Sequence, residues 1–246
     1  MISKFKKILP ANLKSDLKQR LLNAINVPWN KFGMPMCLMN HLSGKRNITL
    51  IDIGASSGQF TDLMNEAFGV ANAMLIEPQP ARYADLIKKY EGRGYEIACA
   101  ALADSEGTVD MEILQWDQSS SILPVKRDRP EVNSVIDLET REVIKCRSTR
   151  LDTICKERAF EGSVDIIKLD VQGAEHLVLS GASETLKRAS LLWTEVSFQA
   201  LYQGSSTIEG IIAQCRNNGF VLHSLVEAFR ASNSELLQAD ALFVKA

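Results

Sequence analysis

The chain of 246 residues carries 46% hydrophobic and 24% charged side chains, an ordinary globular makeup long enough for one large domain or a domain with an extension. Its five cysteines, Cys37, Cys99, Cys146, Cys155 and Cys215, form no CxxC pair and have no His at ligand spacing, which argues against a disulfide framework or a zinc centre and for reduced cytosolic thiols. No apolar run reaches the ~20 residues that cross a bilayer or reads as an export signal, so a soluble, cytoplasmic protein is expected.

The formal charge of −2 is unevenly spread. Residues 1–47 hold nine Lys or Arg against one acid, Asp16, which leaves 19 bases against 29 acids in the remainder. Phe5, Ile8, Leu9, Leu13, Leu17, Leu21, Leu22 and Ile25 recur near helical spacing around Pro10, predicting a basic amphipathic helical extension. Three roles stay open for it: packing on the main domain, covering a substrate, or touching an anionic membrane surface peripherally. The acidic body lacks interleaved basic and aromatic residues, which speaks against nucleic acid as a partner.

From residue 48 onward, short apolar runs alternate with helical segments, as an open parallel sheet requires. Strands are predicted over 48–53, 72–77, 94–100, 164–169, 191–197, 219–225 and 240–245, and helices over about 57–68, 80–90, 150–158, 174–188 and 205–217. Residues 48–246 are therefore expected to form one doubly wound α/β domain with a seven-stranded, mostly parallel, Rossmann-like sheet. The last two strands leave no room for a crossover helix, so the final strand should pair antiparallel. Residues 105–148 break the rhythm and read as an inserted hairpin, TVDMEIL and EVIKCRST, flanking the polar stretch WDQSSSILPVKRDRPEVNS.

The strand Ile48–Ile53 runs directly into Gly54, Ala55, Gly58 and Gln59, with the carboxylate of Asp52 ahead of them. A strand, small residues and a helix start give the backbone room and N–H groups to hold an adenosine-type ligand. A dinucleotide fingerprint asks for G-x-G-x-x-G; the wider spacing and the nearby anion favour a cationic sulfonium, S-adenosylmethionine, over NAD. Glu77 ends the next strand about 20 residues on, where an acid accepts from ribose hydroxyls, and Pro78 stops that strand; an ordinary helix-capping acid is the alternative. ACAALAD then offers Ala101 and Asp104 as a border for adenine, or merely packing and a turn.

A third cluster begins at Val164. Lys168 and Asp170 lie two apart on a strand and share a face, with Asp170 at the carboxyl end where open α/β sheets place chemistry. Glu195 ends the neighbouring strand, so the three should meet at one rim as catalytic groups, or as a structural ion-pair network. His176 should point away from Glu175. Ser119, Ser120, Ser121 and Trp116 are candidates for recognising a polar substrate, or simply part of an ordinary polar loop.

IDIGASSGQF, LIEPQP, TRLDTI at 149–154, IIKLDVQGAEHLVLSGA and LLWTEVS, in that order, resemble the FkbM-type S-adenosylmethionine-dependent methyltransferases over about residues 48–245. The resemblance implies a class I methyltransferase fold and methylation of a hydroxyl on a sugar, glycan precursor or polyketide-type product. In that reaction a base takes the alcohol proton: Asp170 first, Glu195 second, with Lys168 orienting the acid or stabilising an alkoxide. Gln172 stands where the family often has Glu, which removes a carboxylate from any metal site at 170–175, so Mg²⁺ is an optional participant with no assigned ligands. Two other classes stay open. An NAD(P)-dependent oxidoreductase would need a tighter glycine turn and a Tyr-Lys pair; a non-catalytic interaction module would need neither Asp170 nor Glu195.

Overall fold

The computed structural model describes residues 35–115, 117–128 and 138–246. The chain divides between Gly44 and Lys45 into two units. In the first, Met36–His41 forms a short helix, α1, closed by the Leu42 N–H donating to Leu38 O. The amphipathic positions Phe5 to Ile25, together with Trp116 and residues 129–137 of the polar stretch, lie outside the described residues.

The second unit is organised around a mostly parallel sheet whose central strands are apolar and largely buried. β1 (Ile48–Ile53), β2 (Val70–Ile76) and β3 (Glu96–Ala98) build one half. β7 (Val164–Leu169), β8 (Ala189–Ser197), β9 (Phe220–Arg230) and β10 (Leu236–Lys245) build the other, in the order β3-β2-β1-β7-β8-β10-β9. The pairs β1·β2, β1·β7, β2·β3 and β7·β8 are parallel, while β10 runs antiparallel to both β8 and β9. The strand order reverses at β1 and β7, and a crevice opens beyond their carboxyl ends. Ile51, Ile53, Met74, Ile76, Ile167, Leu169, Leu192 and Phe243 are essentially inaccessible in one core cluster. Each such side chain stabilises the fold by about 1.5–3 kcal/mol relative to exposure.

Six further helices cover the sheet among the described residues: α2 (Gln59–Phe68), α3 (Pro80–Lys89), α4 (Leu151–Glu157), α5 (Glu175–Ser180) with α6 (Ser183–Lys187), and α7 (Ile208–Asn217). The α5–α6 pair replaces the single helix expected over 174–188. A Cβ on Gly181 would lie 2.3 Å from the Ala103 carbonyl oxygen, so the chain bends there against the neighbouring backbone. Asp152 of the TRLD segment fixes the restart, accepting from the Glu184 N–H at 2.9 Å and from the Thr185 N–H and hydroxyl at 2.8 and 2.7 Å.

The third strand is shorter than the expected 94–100. Ala101–Leu102 leaves the main sheet as β4 and joins β5 (Gly107–Leu114) and β6 (Thr140–Thr149) in a second sheet of order β4-β6-β5. β5 and β6 pair antiparallel, the hairpin expected of the insertion.

Candidate active site

The glycine turn is held from both sides. Gly54 and Ala55 N–H groups donate to Ile76 O at 3.0 and 3.1 Å, and the Asp170 N–H donates to Ile53 O at 3.2 Å. Gly54 has φ +70°, and a Cβ there would stand 1.9 Å from the Asp170 carbonyl oxygen, so the turn and the Asp170 backbone touch in a way only glycine permits. The Ser56 N–H donates to Glu77 Oε2 at 2.8 Å and the Gln79 N–H to Oε1 at 3.0 Å. Each Glu77 oxygen thus keeps a second acceptor site for a ligand. Burial raises the Glu77 pKa, opposed by those two N–H groups and by Arg82.

Above the strand ends lies a cavity of about 350 Å³. One end is walled by Gly54, Ala55, Ser56, Gln59, Glu77, Pro78, Gln79 and Ala100 to Leu102. The other is walled by Lys168, Asp170, Gln172, Trp193, Glu195 and Asp240, with Met111, Ser120 and Ser121 supplied by the insertion. Of the expected cofactor residues, Asp52, Gly58 and Asp104 do not line it. Asp52 is fully buried behind the turn, where its Oδ2 accepts from the Thr61 hydroxyl at 2.7 Å and ties α2 to β1. Gly58 caps α2 with φ +76°, its carbonyl accepting from the Tyr90 hydroxyl. Asp104 is exposed, and its carbonyl accepts from Arg150 Nε at 2.6 Å. His176 does not reach the cavity either; burial lowers its pKa, and its carbonyl accepts from Gln214.

The charged wall follows from strand register. Asp52 on β1 faces Lys168 on β7, and Glu195 on β8 faces Asp240 on β10. Lys168 Nζ donates to Gly54 O at 2.8 Å and lies 3.4 Å from Asp170 Oδ2 and 3.7 Å from Asp52 Oδ1. Burial alone would lower the Lys168 pKa; Asp170 and Asp52 outweigh it and raise it. Burial pushes Asp240 up to about 7, with Asp170 adding to the effect. Glu195 is raised well above the carboxylate range, by burial first and then by Asp170, Glu175 and Asp240, and its Oε2 accepts from Gln238. Glu175 sits behind the wall, pushed up to about 7 mainly by burial, and accepts from the Val171 and Gly173 N–H groups. Its part in the KLDVQGAE segment is to brace the loop that carries Asp170.

Among the described residues, no group of three or more His, Cys, Asp or Glu side chains is arranged to hold a metal ion. Between Asp52 and Asp170, where a cation would be most welcome, the Lys168 ammonium already stands. The site therefore does not fit Mg²⁺.

Gln172 links this wall to the insertion. Its backbone is left-handed at φ +56°, a conformation that costs a non-glycine residue of order 1 kcal/mol or more. Its side-chain amide donates to Asp170 Oδ1 at 2.7 Å, its carbonyl oxygen Oε1 is 3.1 Å from the Tyr202 hydroxyl, and its backbone carbonyl accepts from the Ser121 hydroxyl at 2.7 Å. Tyr202 packs its ring on Gly173, where a Cβ would meet it at 2.7 Å, and donates to Ser119 O at 2.8 Å. The serine run is thus built into the wall of the site. Asp240 and Gln238 belong to no motif in the sequence, and Tyr202 has no partner at a spacing that marks it. A charge inside an apolar central strand was the signal available for Asp240, as it was for Lys168.

A family model described as the Methyltransferase FkbM domain matches residues 52–222. The chain belongs to the FkbM methyltransferase family. A 2-O-methyltransferase, NoeI, from Sinorhizobium fredii (strain NBRC 101917 / NGR234) is 30% identical over 224 residues, covering 83% of this chain and 86% of NoeI. The crystal structure of Methyltransferase FkbM from Methylobacillus flagellatus KT superposes with a TM-score of 0.52 at 13% identity, covering 80% of this chain and 43% of that one. The family match makes this chain a methyltransferase, and its sheet order is that of the class I fold. Among the described residues, no helix is long and apolar enough to cross a membrane.

Proposed function

We propose that this methyltransferase transfers a methyl group from S-adenosylmethionine to a hydroxyl oxygen of a sugar, glycan precursor or polyketide-type product in the cytoplasm. The observation that carries the reading is one cavity with a ribose-type acceptor, Glu77, at one end and the carboxyl cluster Asp170, Glu195 and Asp240 at the other. The similarity to NoeI, a 2-O-methyltransferase, supports oxygen as the acceptor atom. The residues fit the cofactor: Glu77 has free acceptor sites for two ribose hydroxyls, the Gly54 turn leaves no side chain in the way, and Ala100, Ala101 and Pro78 make a small apolar border for adenine.

When bound, the cofactor supplies an electrophilic methyl on sulfur, and the protein's task is to hold the acceptor oxygen in line with it. Such positioning lowers a barrier by up to ~7–11 kcal/mol in well-oriented systems. Asp170 receives the hydroxyl proton as the oxygen–carbon bond forms. Lys168 fixes Asp170 by its charge and the glycine turn by its hydrogen bond to Gly54 O, so it acts on the base and the cofactor loop together. Glu195 and Asp240, whose pKa values burial raises, are placed to donate to acceptor oxygens when protonated, and Trp193 offers an apolar face to a sugar ring.

Calorimetric titration with S-adenosylhomocysteine beside NADH, each with and without Mg²⁺, tests the cofactor assignment. Micromolar, Mg²⁺-independent binding of the first and none of the second is expected; binding of NADH instead overturns it. Transfer of radiolabelled methyl from S-adenosylmethionine to neutral oligosaccharides tests the acceptor class.

A further inference from the structure

Gln172 has one amide and two demanding neighbours, and their hydrogen-bond arithmetic changes when Asp170 takes a proton. With Asp170 ionised, Nε2 donates to Oδ1 at 2.7 Å, and the Tyr202 hydroxyl divides its single proton between Ser119 O at 2.8 Å and Gln172 Oε1 at 3.1 Å. Once Asp170 carries the acceptor's proton, its O–H needs an acceptor. A half-turn of the Gln172 amide provides one: Asp170 O–H donates to Oε1, Nε2 donates to the Tyr202 oxygen, and the Tyr202 proton goes wholly to Ser119 O. Both arrangements satisfy every group, and the second resolves the shared proton of the first.

We propose that Gln172 is a positioning residue whose amide turns over as Asp170 takes the proton, with the buried Tyr202 hydroxyl as the fixed partner that makes both orientations serviceable. This rests on the assignment of Asp170 as base. No backbone need move, because Gln172 is held by its Ser121 bond and Tyr202 by its ring on Gly173. The proton balance closes within the site: the acceptor's O–H bond breaks, its proton moves to Asp170, its electron pair forms the O–CH₃ bond, and the S–CH₃ electrons stay on sulfur. The other charged groups around Asp170 are Lys168 on β7, Asp52 on β1, Glu175 on α5, Glu195 on β8 and Asp240 on β10. None of these touches the amide of Gln172 among the described contacts.

The test follows the Gln172 side-chain amide by NMR in the full chain saturated with S-adenosylhomocysteine, its signals assigned by their loss in Gln172→Leu. Asp170→Asn mimics the protonated acid by presenting a donor. The expected result is a cross-relaxation peak from the amide protons to the Tyr202 ring that is weak in wild type and at least twofold stronger in Asp170→Asn. Acidifying the wild-type sample until Asp170 is protonated should produce the same change, and this measurement stands even if the variant fails to fold. An amide pattern unchanged in both comparisons overturns the proposal and leaves Asp170 free to act as base beside a static amide. Full methyl transfer by Asp170→Asn would instead overturn the base assignment on which it rests.

Discussion

Lys168 and Asp52 stand opposite each other on neighbouring parallel strands, with the ammonium 3.7 Å from Asp52 Oδ1. That oxygen is buried and has no hydrogen-bond donor among the described residues, so the charge of Lys168 is its main compensation. Burial raises the Asp52 pKa, and Lys168 is the largest influence pulling it back. The same ammonium donates to Gly54 O and faces Asp170. One side chain therefore holds the core acid, the cofactor turn and the proposed base in fixed relation.

Lys168→Met should cost about 3–5 kcal/mol of folding stability, the range found when one partner of a buried ion pair is removed. Urea denaturation reads this directly. The loss should be larger at pH 8 than at pH 5, because the abandoned Asp52 must ionise as pH rises. Adding Asp52→Asn to the same variant should recover a substantial part. A double variant as unstable as the single one would show that the pair is not what Lys168 stabilises.

Glu77→Ala removes the acceptor for the ribose hydroxyls and for the Ser56 and Gln79 N–H groups. S-adenosylhomocysteine binding should weaken by about 1–3 kcal/mol, seen as a 5- to 150-fold rise in Kd by calorimetry. An unchanged Kd would remove Glu77 from the cofactor site.

Much of this arrangement was legible before the structure. Strand periodicity located β1, β2, β7 and β8 within two residues, and the pattern of Glu77, Lys168, Asp170 and Glu195 at strand ends placed all four on the cavity wall. What periodicity does not carry is register and lateral approach. Asp52 shares a face with Lys168 and Asp170 but lies deeper along its strand, where Lys168 and Thr61 of α2 enclose it behind the turn. Asp104 follows a strand that departs into the second sheet, which carries it away from the cavity. Asp240 and Tyr202 reach the site from segments remote in sequence, through the β8–β10 register and through the ring packed on Gly173. The split of 174–188 into two helices depends on the Ala103 backbone passing under Gly181, a contact invisible to a helical pattern.

Asp240, with a pKa near 7, and Glu195, raised further, set a pH dependence of stability. Both pKa values are higher folded than unfolded, so above about pH 4 the folded state binds more protons than the unfolded chain, and stability falls as pH rises towards neutrality. Each retained proton contributes a slope of about 1.4 kcal/mol per pH unit over its window. For Asp240 the window runs from about 4 to 7. Asp240→Asn should flatten the curve of unfolding free energy between pH 5 and 7, measured by urea titration at several pH values. Equal slopes in wild type and variant would show that Asp240 ionises freely in the fold.

Asp170→Asn keeps the size of the side chain and removes its capacity to accept the acceptor's proton. Removal of a general base lowers turnover by about 10²–10⁴-fold. Affinity for S-adenosylhomocysteine should stay within threefold of wild type, because the contacts proposed for the cofactor come from the glycine turn, Glu77 and Ala100 to Leu102. Glu195→Gln separates the two carboxyl roles: as a protonated donor, Glu195 is well mimicked by an amide, so that variant should lose less than tenfold. Single-turnover methyl transfer beside calorimetric binding distinguishes the outcomes. Loss of binding in Asp170→Asn would move the residue into the cofactor site, and a deeper loss in Glu195→Gln than in Asp170→Asn would exchange the assigned roles.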